Sequence, residues 1–447
     1  MAAAQGHSKL TTAPLSFLAL MLQNPEINHD IWTQQASPRI LFHVSRYWPA
    51  IAGTPLHTRE LIFHLRAQNY DLGVIRHTAD EPVSKEIAFA HNPTLTLSDG
   101  CTPIYQLGPP SPWRWGLQQL AQRYEQHRWA RFWYGTLLRL SVQRPIARIA
   151  QPYEMIHAVY TGMTASVRAA QRVAHAQKKP FILTPLVYVN HLDQRAPRSL
   201  LSLYRRSDAL IAMTQFEKDW LIRQGVQPQL IYVCPVGPLV RGPARPRQFR
   251  RRYHLGNHPV ILFLAKQRPE KGYRALCQSA PLVWKRYPEA RFVFVGTPTP
   301  ESRLFFQTVQ DPRILYLGDL PLADQASALA ACDLFCLPSL HESSGAAYVE
   351  AWQYEKPVIA ADLPVIRSLI DHEGDGLIVV PSPQAIAQAI LRCLDHPKWR
   401  HQMGCQGYRK VRANYDWDYI TTRMLDLYST LQHHYATGRP LSRTRSC

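Results

Sequence analysis

The chain has 447 residues, of which 46% are hydrophobic and 19% are charged. At roughly 100–200 residues per domain it should hold two or three domains, and its apolar content excludes a disordered or collagen-like protein. Lys and Arg number 51 against 32 Asp and Glu, so the net charge is +19. A charge of that sign favours phosphorylated ligands, nucleic acid or an anionic membrane as partners.

The spacing of the cysteines and the length of the apolar segments indicate the cellular compartment of the protein. The eight cysteines include no CxxC pair and no repeated spacing, so the sequence predicts a reduced, cytoplasmic location without a disulfide or zinc framework. Residues 13–22 are apolar, but they are too short to span a bilayer and no cleavage-site pattern follows them. We therefore expect a soluble or peripheral protein.

Short apolar runs alternate with helical patterns after a polar lead of about 38 residues that is predicted to be disordered, and this alternation is typical of a parallel α/β sheet. The first series of predicted strands comprises 39–45, 72–76, 103–107, 155–160, 181–183, 209–213 and 230–234. The second series comprises 260–265, 291–295, 314–317, 334–337, 358–360 and 377–380. Helical spacing at 275–286 and 384–394 separates strands of the second series. Each series predicts one Rossmann-like, doubly wound domain.

The domain boundaries follow from these patterns. Residues 240–259 are rich in Arg, Pro and Gly without a sustained period, so they are interpreted as the interdomain linker. A last helix is predicted at 417–431 with Asp416 as its N-cap. The predicted segments are therefore a lead at 1–38, an amino-terminal domain at 39–239, a carboxyl-terminal domain at 240–414, a final helix at 415–432 and a tail at 433–447.

Residues 339–350 form the most informative loop, because they follow a predicted strand and open a helix of small and apolar residues. Ser343, Ser344 and Gly345 would lie at the helix N-terminus, where free backbone N–H groups and the positive end of the helix dipole suit a phosphate. Glu342 lies in the same loop. This stretch therefore predicts an anion site with a carboxylate beside it.

Two lysines form the second motif. Lys266 and Lys271 lie at the carboxyl end of the first strand of the second series. Ligands of open α/β sheets bind outside the carboxyl ends of the strands, so both lysines would face the same crevice as Glu342. There they could neutralise the charge of a diphosphate leaving group without a metal. The alternative interpretation is a solvated, charged turn.

The third motif is the loop at residues 45–54, which leaves the first predicted strand and contains Gly53. A small-residue loop before a helix can pass close to a bound sugar or phosphate. An ordinary connection between strand and helix would have the same composition, and the sequence leaves both interpretations open.

Taken together and in order, these motifs resemble those of the retaining family-4 glycosyltransferases of GT-B fold. The resemblance covers residues 39–431. The family signature of two glutamates separated by seven residues is matched by Glu342 and Glu350, and the basic pair of the family by Lys266 and Lys271. The resemblance implies an α/β protein with two Rossmann-like, doubly wound domains facing each other across a cleft (GT-B), and a last helix that crosses back onto the amino-terminal domain.

The resemblance also implies a role for each matched residue. Glu342 would hold hydroxyls of the donor sugar and Glu350 the ribose of the nucleotide. His157, which matches the first histidine of a family His-x-His motif, would border the transferred sugar, although Val159 stands where the second histidine would be. The implied catalytic residues are therefore Glu342 and His157. The implied donor-binding residues are Lys266, Lys271, Ser343, Ser344, Gly345, Glu350, Gly296 and Leu320, with Gly53 in the loop near the sugar.

The function implied by the resemblance is a retaining, metal-independent glycosyltransferase that moves a sugar from a nucleotide diphosphate sugar to an acceptor hydroxyl, lipid-linked or on a polysaccharide. No metal and no cofactor are expected. The alternative is a catalytically inactive nucleotide-sugar or polyanion binding protein of the same fold, supported by the altered first domain and by the arginines within 241–252. Such a run could grip a nucleic acid backbone or be a solvated spacer, and nucleic acid is not expected.

Residues 112–149 combine basic and aromatic side chains. Arg123, His127 and Arg131 are spaced at i, i+4 and i+8, so a continuous helix would carry them on one stripe, with several Trp, Phe and Tyr residues nearby. Such a helix can lie in a membrane interface or pack on the sheet, and the sequence leaves both open. An anionic membrane surface is therefore a predicted partner, with the protein peripheral on the inner face of the membrane.

Overall fold

The computed structural model describes residues 38–49, 53–77, 85–160, 162–187 and 192–437. The lead predicted to be disordered lies almost wholly outside these residues. The described chain forms two β-sheets in sequence order, with eight strands in the first and six in the second. The predicted α/β architecture with two Rossmann-like sheets is confirmed.

The amino-terminal sheet has the strand order β3-β4-β2-β1-β5-β6-β7-β8, and its pairs are parallel except β3 with β4. Its strands are β1 (Ile40–Val44), β2 (Leu72–Arg76), β3 (Leu95–Asp99), β4 (Thr102–Gln106), β5 (Met155–Val159), β6 (Phe181–Thr184), β7 (Ala209–Ala212) and β8 (Ile231–Val233). The second sheet is parallel, with the order β11-β10-β9-β12-β13-β14. Its strands are β9 (Val260–Leu264), β10 (Arg291–Val295), β11 (Ile314–Gly318), β12 (Leu334–Leu337), β13 (Val358–Ala361) and β14 (Gly376–Val379).

Helices connect the strands in both halves. Those of the amino-terminal half are α1 (Thr54–Ala67), α2 (Lys85–Ala88), α3 (Ser111–Gln122), α4 (Arg128–Ala150), α5 (Thr164–Ala176), α6 (Arg198–Arg205) and α7 (Gln215–Arg223). The later ones are α8 (Pro246–Arg252), α9 (Tyr273–Trp284), α10 (Pro300–Gln307), α11 (Leu322–Ala331), α12 (Ala346–Gln353), α13 (Pro364–Arg367), α14 (Pro383–Asp395), α15 (Pro397–Asn414) and α16 (Trp417–Thr437).

Three features differ from the sequence-based expectations. The edge strand β3 was not predicted, because its side chains are almost all exposed and give no apolar run. The linker contains the short helix α8. The prediction that a continuous helix carries Arg123, His127 and Arg131 on one stripe is wrong. α3 ends at Gln122 and α4 begins at Arg128, with turns between them.

The last helix, α16, packs against the amino-terminal sheet. Trp417, Met424, Tyr428 and Leu431 are buried in one hydrophobic cluster with residues of β1, β2, β5, β6 and β7. The side chain of Asp416 accepts the backbone N–H of Asp418 at 3.0 Å, as expected of an N-cap. The helix ends at Thr437, beyond residue 432, where the predicted final helix ends.

A histidine lies beside this helix without a polar partner. The Nδ1 atom of His57 in α1 is buried and has no hydrogen-bond partner among the described residues, and its ring centroid lies 6.5 Å from that of Trp417. Burial lowers the pKa of His57 from 6.5 to about 4. As the pH falls below 6.5, the unfolded chain therefore takes up a proton that the native state resists, and native stability is lost.

We expect His57→Leu to remove the loss of native stability at low pH that burial of His57 causes. The variant should match or exceed the wild type in stability at pH 7.5, and its advantage should grow by about 1–2 kcal/mol at pH 5. Thermal unfolding midpoints measured at both pH values test this, with His433→Leu as the control at an exposed position. An advantage that is equal at both pH values would contradict the prediction.

Candidate active site

A cleft lies between the two sheets at the carboxyl ends of their strands, where open α/β sheets bind ligands. Its volume is about 970 Å³, and both halves of the chain line it. The loops that follow β1, β5 and β6 line one side, and the loops that follow β9 and β12 line the other. The lining residues from the second half are Lys266, Arg268, Glu270, Lys271 and His341.

Two predicted site residues from separate motifs meet beside this cleft. The Nζ atom of Lys271 donates to Oε1 of Glu342 at 2.7 Å. The side chain of Glu342 is 9% exposed and that of Lys271 is 25% exposed. Because both groups are partly withdrawn from water, their attraction is screened less than that of a surface ion pair. The pair therefore holds one carboxylate and one ammonium in a fixed relation at the wall of the cleft.

The two loops that carry this pair are locked together by their backbones. The N–H of Leu340 donates to the carbonyl of Glu270 at 2.7 Å. Gly272 has a φ of 80°, and a Cβ atom there would lie 2.1 Å from the carbonyl oxygen of Pro338. Only glycine permits this approach, because it has no Cβ and readily adopts positive φ. The close contact of the loops explains why Lys271 meets Glu342.

The N-terminus of α12 lies at the end of the second loop. No side chain caps the helix, and its N-cap residue is Gly345 with a φ of 69°. Ser343 and Ser344 precede it and are half-buried. A Cβ at Gly345 would lie 2.4 Å from Cδ2 of Leu369. Glycine is thus required here by its backbone conformation and by packing, and its role in donor binding stays a prediction.

Glu350 is buried one and a half turns into α12, and its carboxylate is used by the interdomain linker. Its Oε1 atom accepts the backbone N–H groups of Leu239 at 3.1 Å and of Val240 at 3.2 Å. Burial raises its pKa to about 7, and these hydrogen bonds act in the opposite direction. Among the described residues it does not line the cleft. Its role at a ribose stays a prediction.

His157 lies on β5, beneath the cleft. Its Nδ1 atom is 2.8 Å from the hydroxyl of Tyr428 and its Nε2 atom is 2.9 Å from Oγ1 of Thr184. Burial lowers its pKa to about 3, so the ring is neutral at physiological pH. Both ring nitrogens already have partners and the side chain is 1% exposed. His157 is not among the described residues that line the cleft. It lines a small pocket of about 80 Å³ that shares Val159 and Leu186 with the cleft, and its contact with a sugar stays a prediction.

The remaining predicted residues are spread over the site. Gly53 lines the cleft at the start of α1. A Cβ at Gly296 would lie 2.0 Å from the carbonyl oxygen of Ala265, so glycine there serves backbone packing. The carbonyl of Leu320 accepts the side-chain amide of Gln325 at 2.7 Å. Neither Gly296 nor Leu320 is among the described residues that line the cleft, and their role in donor binding stays a prediction.

Three further residues line the cleft and were not among the predicted site residues. Arg46 follows β1, and Arg268 and His341 lie in the two loops of the second half. Arg46 could have been found from its position at a strand's carboxyl end. Lys266, Lys271 and the two arginines give the cleft four cationic side chains. Glu270 also lines the cleft and adds a carboxylate. A positive cleft of this kind concentrates anionic ligands.

The predicted arginine run is partly built into the fold. Arg241 pairs with Glu60 of α1. Arg250 pairs with Asp333 at 2.9 Å and donates to the carbonyl of Ala331 at 3.0 Å. The interpretation of these two arginines as a solvated spacer or a nucleic acid grip is therefore wrong.

The comparison with protein families decides the class of the second half. Residues 258–396 match the family described as Glycosyl transferases group 1. This region contains the cleft loops with Lys266, Lys271 and Glu342. This region is therefore similar to glycosyl transferase group 1 domains, and the predicted resemblance to glycosyltransferases is confirmed for it.

Curated relatives of this chain are named as mannosyltransferases. A phosphatidyl-myo-inositol mannosyltransferase of Propionibacterium freudenreichii subsp. shermanii is 30% identical over 255 residues, which are 55% of this chain and 62% of the relative. A GDP-mannose-dependent monoacylated alpha-(1-6)-phosphatidylinositol monomannoside mannosyltransferase of Corynebacterium glutamicum is 29% identical over 178 residues, 38% of this chain and 46% of the relative. The chain thus matches less than two thirds of the length of these relatives.

Solved structures establish the fold over most of the chain. A sucrose-phosphate synthase from Thermosynechococcus elongatus superposes with a TM-score of 0.67 at 19% identity, covering 88% of this chain and 99% of the other. Anabaena HepE in complex with UDP and glucose superposes with a TM-score of 0.65 at 16% identity, with the same coverage. The predicted GT-B fold is confirmed. None of the described helices is long and apolar enough to cross a membrane.

Proposed function

We propose that this protein is a retaining, metal-independent glycosyltransferase that transfers a sugar from a nucleotide diphosphate sugar to an acceptor hydroxyl. The observation that carries the proposal is the contact of Lys271 with Glu342 at the cleft wall, beside Lys266 and near the uncapped N-terminus of α12. It combines cationic groups for a diphosphate with a carboxylate for sugar hydroxyls.

The chemistry follows from this arrangement. The bond between the anomeric carbon and the diphosphate oxygen breaks, and negative charge builds on the leaving diphosphate. Lys266, Lys271 and the α12 amides would stabilise that charge because they are already oriented toward it. Attack from the same face retains the anomeric configuration, and the acceptor hydroxyl gives its proton to the leaving phosphate oxygen. The residues of the cleft thus bind and orient, while the leaving group serves as the base.

A transfer assay with purified protein tests the proposal. GDP-mannose is the first donor to test, because the Corynebacterium glutamicum relative is named for it, followed by UDP-glucose and ADP-glucose. Release of nucleoside diphosphate is measured with phosphatidylinositol vesicles as acceptor, with and without EDTA. Transfer that survives EDTA supports the proposal. Binding of a donor without transfer or hydrolysis would favour an inactive binding protein.

The acceptor side of the proposal rests on α4. Its inner face buries Tyr134, Leu138 and Ile146, while its first turns expose aromatic rings. Trp129, Phe132 and Trp133 are each more than half exposed. The helix precedes β5, whose carboxyl end lies at the cleft. In this proposal the first turns of α4 lie on the side of the cleft.

Exposed aromatic and basic side chains together are typical of a membrane interface. Arg123, Arg128 and Arg131 are exposed around these rings. We infer that this tip of α3 and α4 docks on an anionic bilayer and brings a lipid-linked acceptor to the cleft. In this proposal α4 does both things that the sequence left open. One face of the helix packs on the core, and the other faces the lipid.

Charge reversal tests the docking. The triple variant Arg123→Glu, Arg128→Glu, Arg131→Glu should lower binding to anionic vesicles by on the order of 100-fold, with nucleotide binding unchanged. The matched control Lys285→Glu, Arg303→Glu, Lys398→Glu changes the net charge equally at exposed positions of the other half. Vesicle sedimentation at low salt measures both. Equal loss in both triple variants would refute docking through α4.

A further inference from the structure

Three side chains at the far end of α12 have the composition of a transition-metal site. The ligand atoms of Glu355, His401 and Cys405 all lie within 4.8 Å of one another. We propose that these residues bind a thiophilic divalent cation of the Zn²⁺ type. This site is separate from the cleft and was not expected from the sequence, where neither a CxxC pair nor a zinc-finger spacing occurs.

The spacing of two of the ligands already suits a metal. His401 and Cys405 are four residues apart on α15, so their side chains lie on the same face of the helix. The Sγ atom of Cys405 is 3.5 Å from Nε2 of His401. Two ligands at about 2.3 Å and 2.05 Å from a tetrahedral zinc ion are about 3.6 Å apart. The observed pair can therefore take up the ion with little movement.

The third ligand is held against the same helix by its backbone. A Cβ atom at Gly404, between the two other ligands, would lie 2.0 Å from the carbonyl oxygen of Glu355. One turn further along, a Cβ at Gly407 would lie 2.0 Å from the ring of Trp352. The ligand atoms all lie within 4.8 Å of one another, and those of a tetrahedral zinc ion are about 3.3–3.6 Å apart, so the carboxylate of Glu355 has to move by no more than about 1.5 Å.

The backbone at Glu355 is fixed by the end of α12. This residue has a φ of 57°, and the N–H groups of Glu355 and Lys356 donate to the carbonyls of Trp352 and Ala351. These bonds close the helix end. They fix the point at which the Glu355 side chain leaves the backbone, next to α15.

The donor set selects the class of ion. An imidazole, a thiolate and a carboxylate are the ligands that zinc prefers, whereas Mg²⁺ and Ca²⁺ require oxygen ligands. The fourth position would be taken by water. The ion would join the carboxyl-terminal end of α12 to α15. The site that we propose for the donor is at the other end of α12. The ion would therefore stabilise the fold and would not contact the donor.

Cobalt titration tests the site, because a cobalt–thiolate bond gives a charge-transfer band in the near ultraviolet. Untagged, reduced, metal-free protein should bind one Co²⁺ per chain with this band, and Zn²⁺ should displace it. Cys405→Ser should abolish the band, and His401→Ala or Glu355→Gln should weaken Co²⁺ binding roughly tenfold or more. Zn²⁺ should raise the unfolding midpoint of the wild type and leave that of Cys405→Ser unchanged.

The remaining thiols provide the controls. Cys101 is exposed in the other half of the chain, and Cys447 lies outside the described residues. Cys101→Ser and Cys447→Ser should keep the band and the affinity of the wild type. Absence of a stoichiometric band, or a band that survives Cys405→Ser, would overturn the proposal. The measurement needs neither donor nor acceptor, so it is independent of the proposed transferase activity.

Discussion

Glu342→Gln should lower the rate of sugar transfer by on the order of 100-fold and leave the affinity for a nucleoside diphosphate within about twofold of the wild type. The glutamine keeps an oxygen that can accept the Lys271 hydrogen bond, so the loops should keep their positions. It lacks the negative charge that we propose the donor sugar meets in the transition state. Steady-state rates and nucleoside diphosphate binding by calorimetry measure the two effects.

Glu301→Gln is the matched control. Glu301 lies in the same half of the chain, and its carboxylate pairs at 2.6 Å with Arg274, both partners being about half exposed. Its replacement should leave the transfer rate unchanged. An unchanged transfer rate in Glu342→Gln would refute the role of this carboxylate, whereas an equal loss of rate and of nucleotide affinity would place Glu342 at the nucleotide.

The periodicity of the sequence was sufficient for most of the fold, because buried parallel strands are continuous apolar runs. β2, β10 and β12 have the predicted bounds, and most other predicted strands differ by one or two residues. The edge strand β3 was not predicted, because exposed side chains give no such apolar run. The break between α3 and α4 was not predicted either, because no proline or glycine occurs in residues 123–127.

The site was predictable by residue type and loop, but its contacts were not. Sequence placed Lys271 and Glu342 in one crevice, but their hydrogen bond depends on how closely Gly272 lets one loop approach Pro338. The bond from Glu350 to the linker joins residues more than 100 positions apart. Likewise, Glu355 meets His401 and Cys405 only through the packing of α12 on α15. Such contacts depend on tertiary packing, which local sequence patterns do not encode.

Lys271→Ala should weaken binding of a nucleoside diphosphate by roughly 10- to 100-fold and binding of the nucleoside by less than about threefold. Only the diphosphate carries the charge that the ammonium would neutralise. The exposed Lys285→Ala is the matched control and should bind both ligands as the wild type does. Equal weakening of nucleoside and diphosphate would show that the lysine acts on the fold of the site and not on the phosphates.

The double variant Lys271→Ala, Glu342→Gln separates the two charges. In Lys271→Ala, the carboxylate of Glu342 loses the ammonium that lies 2.7 Å away, and its charge repels an incoming diphosphate. Adding Glu342→Gln removes this repulsion, so the double variant should bind nucleoside diphosphate more tightly than Lys271→Ala while its transfer rate stays low. Contacting residues are expected to be non-additive in this way. Strict additivity of the two binding effects would mean that the ion pair is not present when the nucleotide binds.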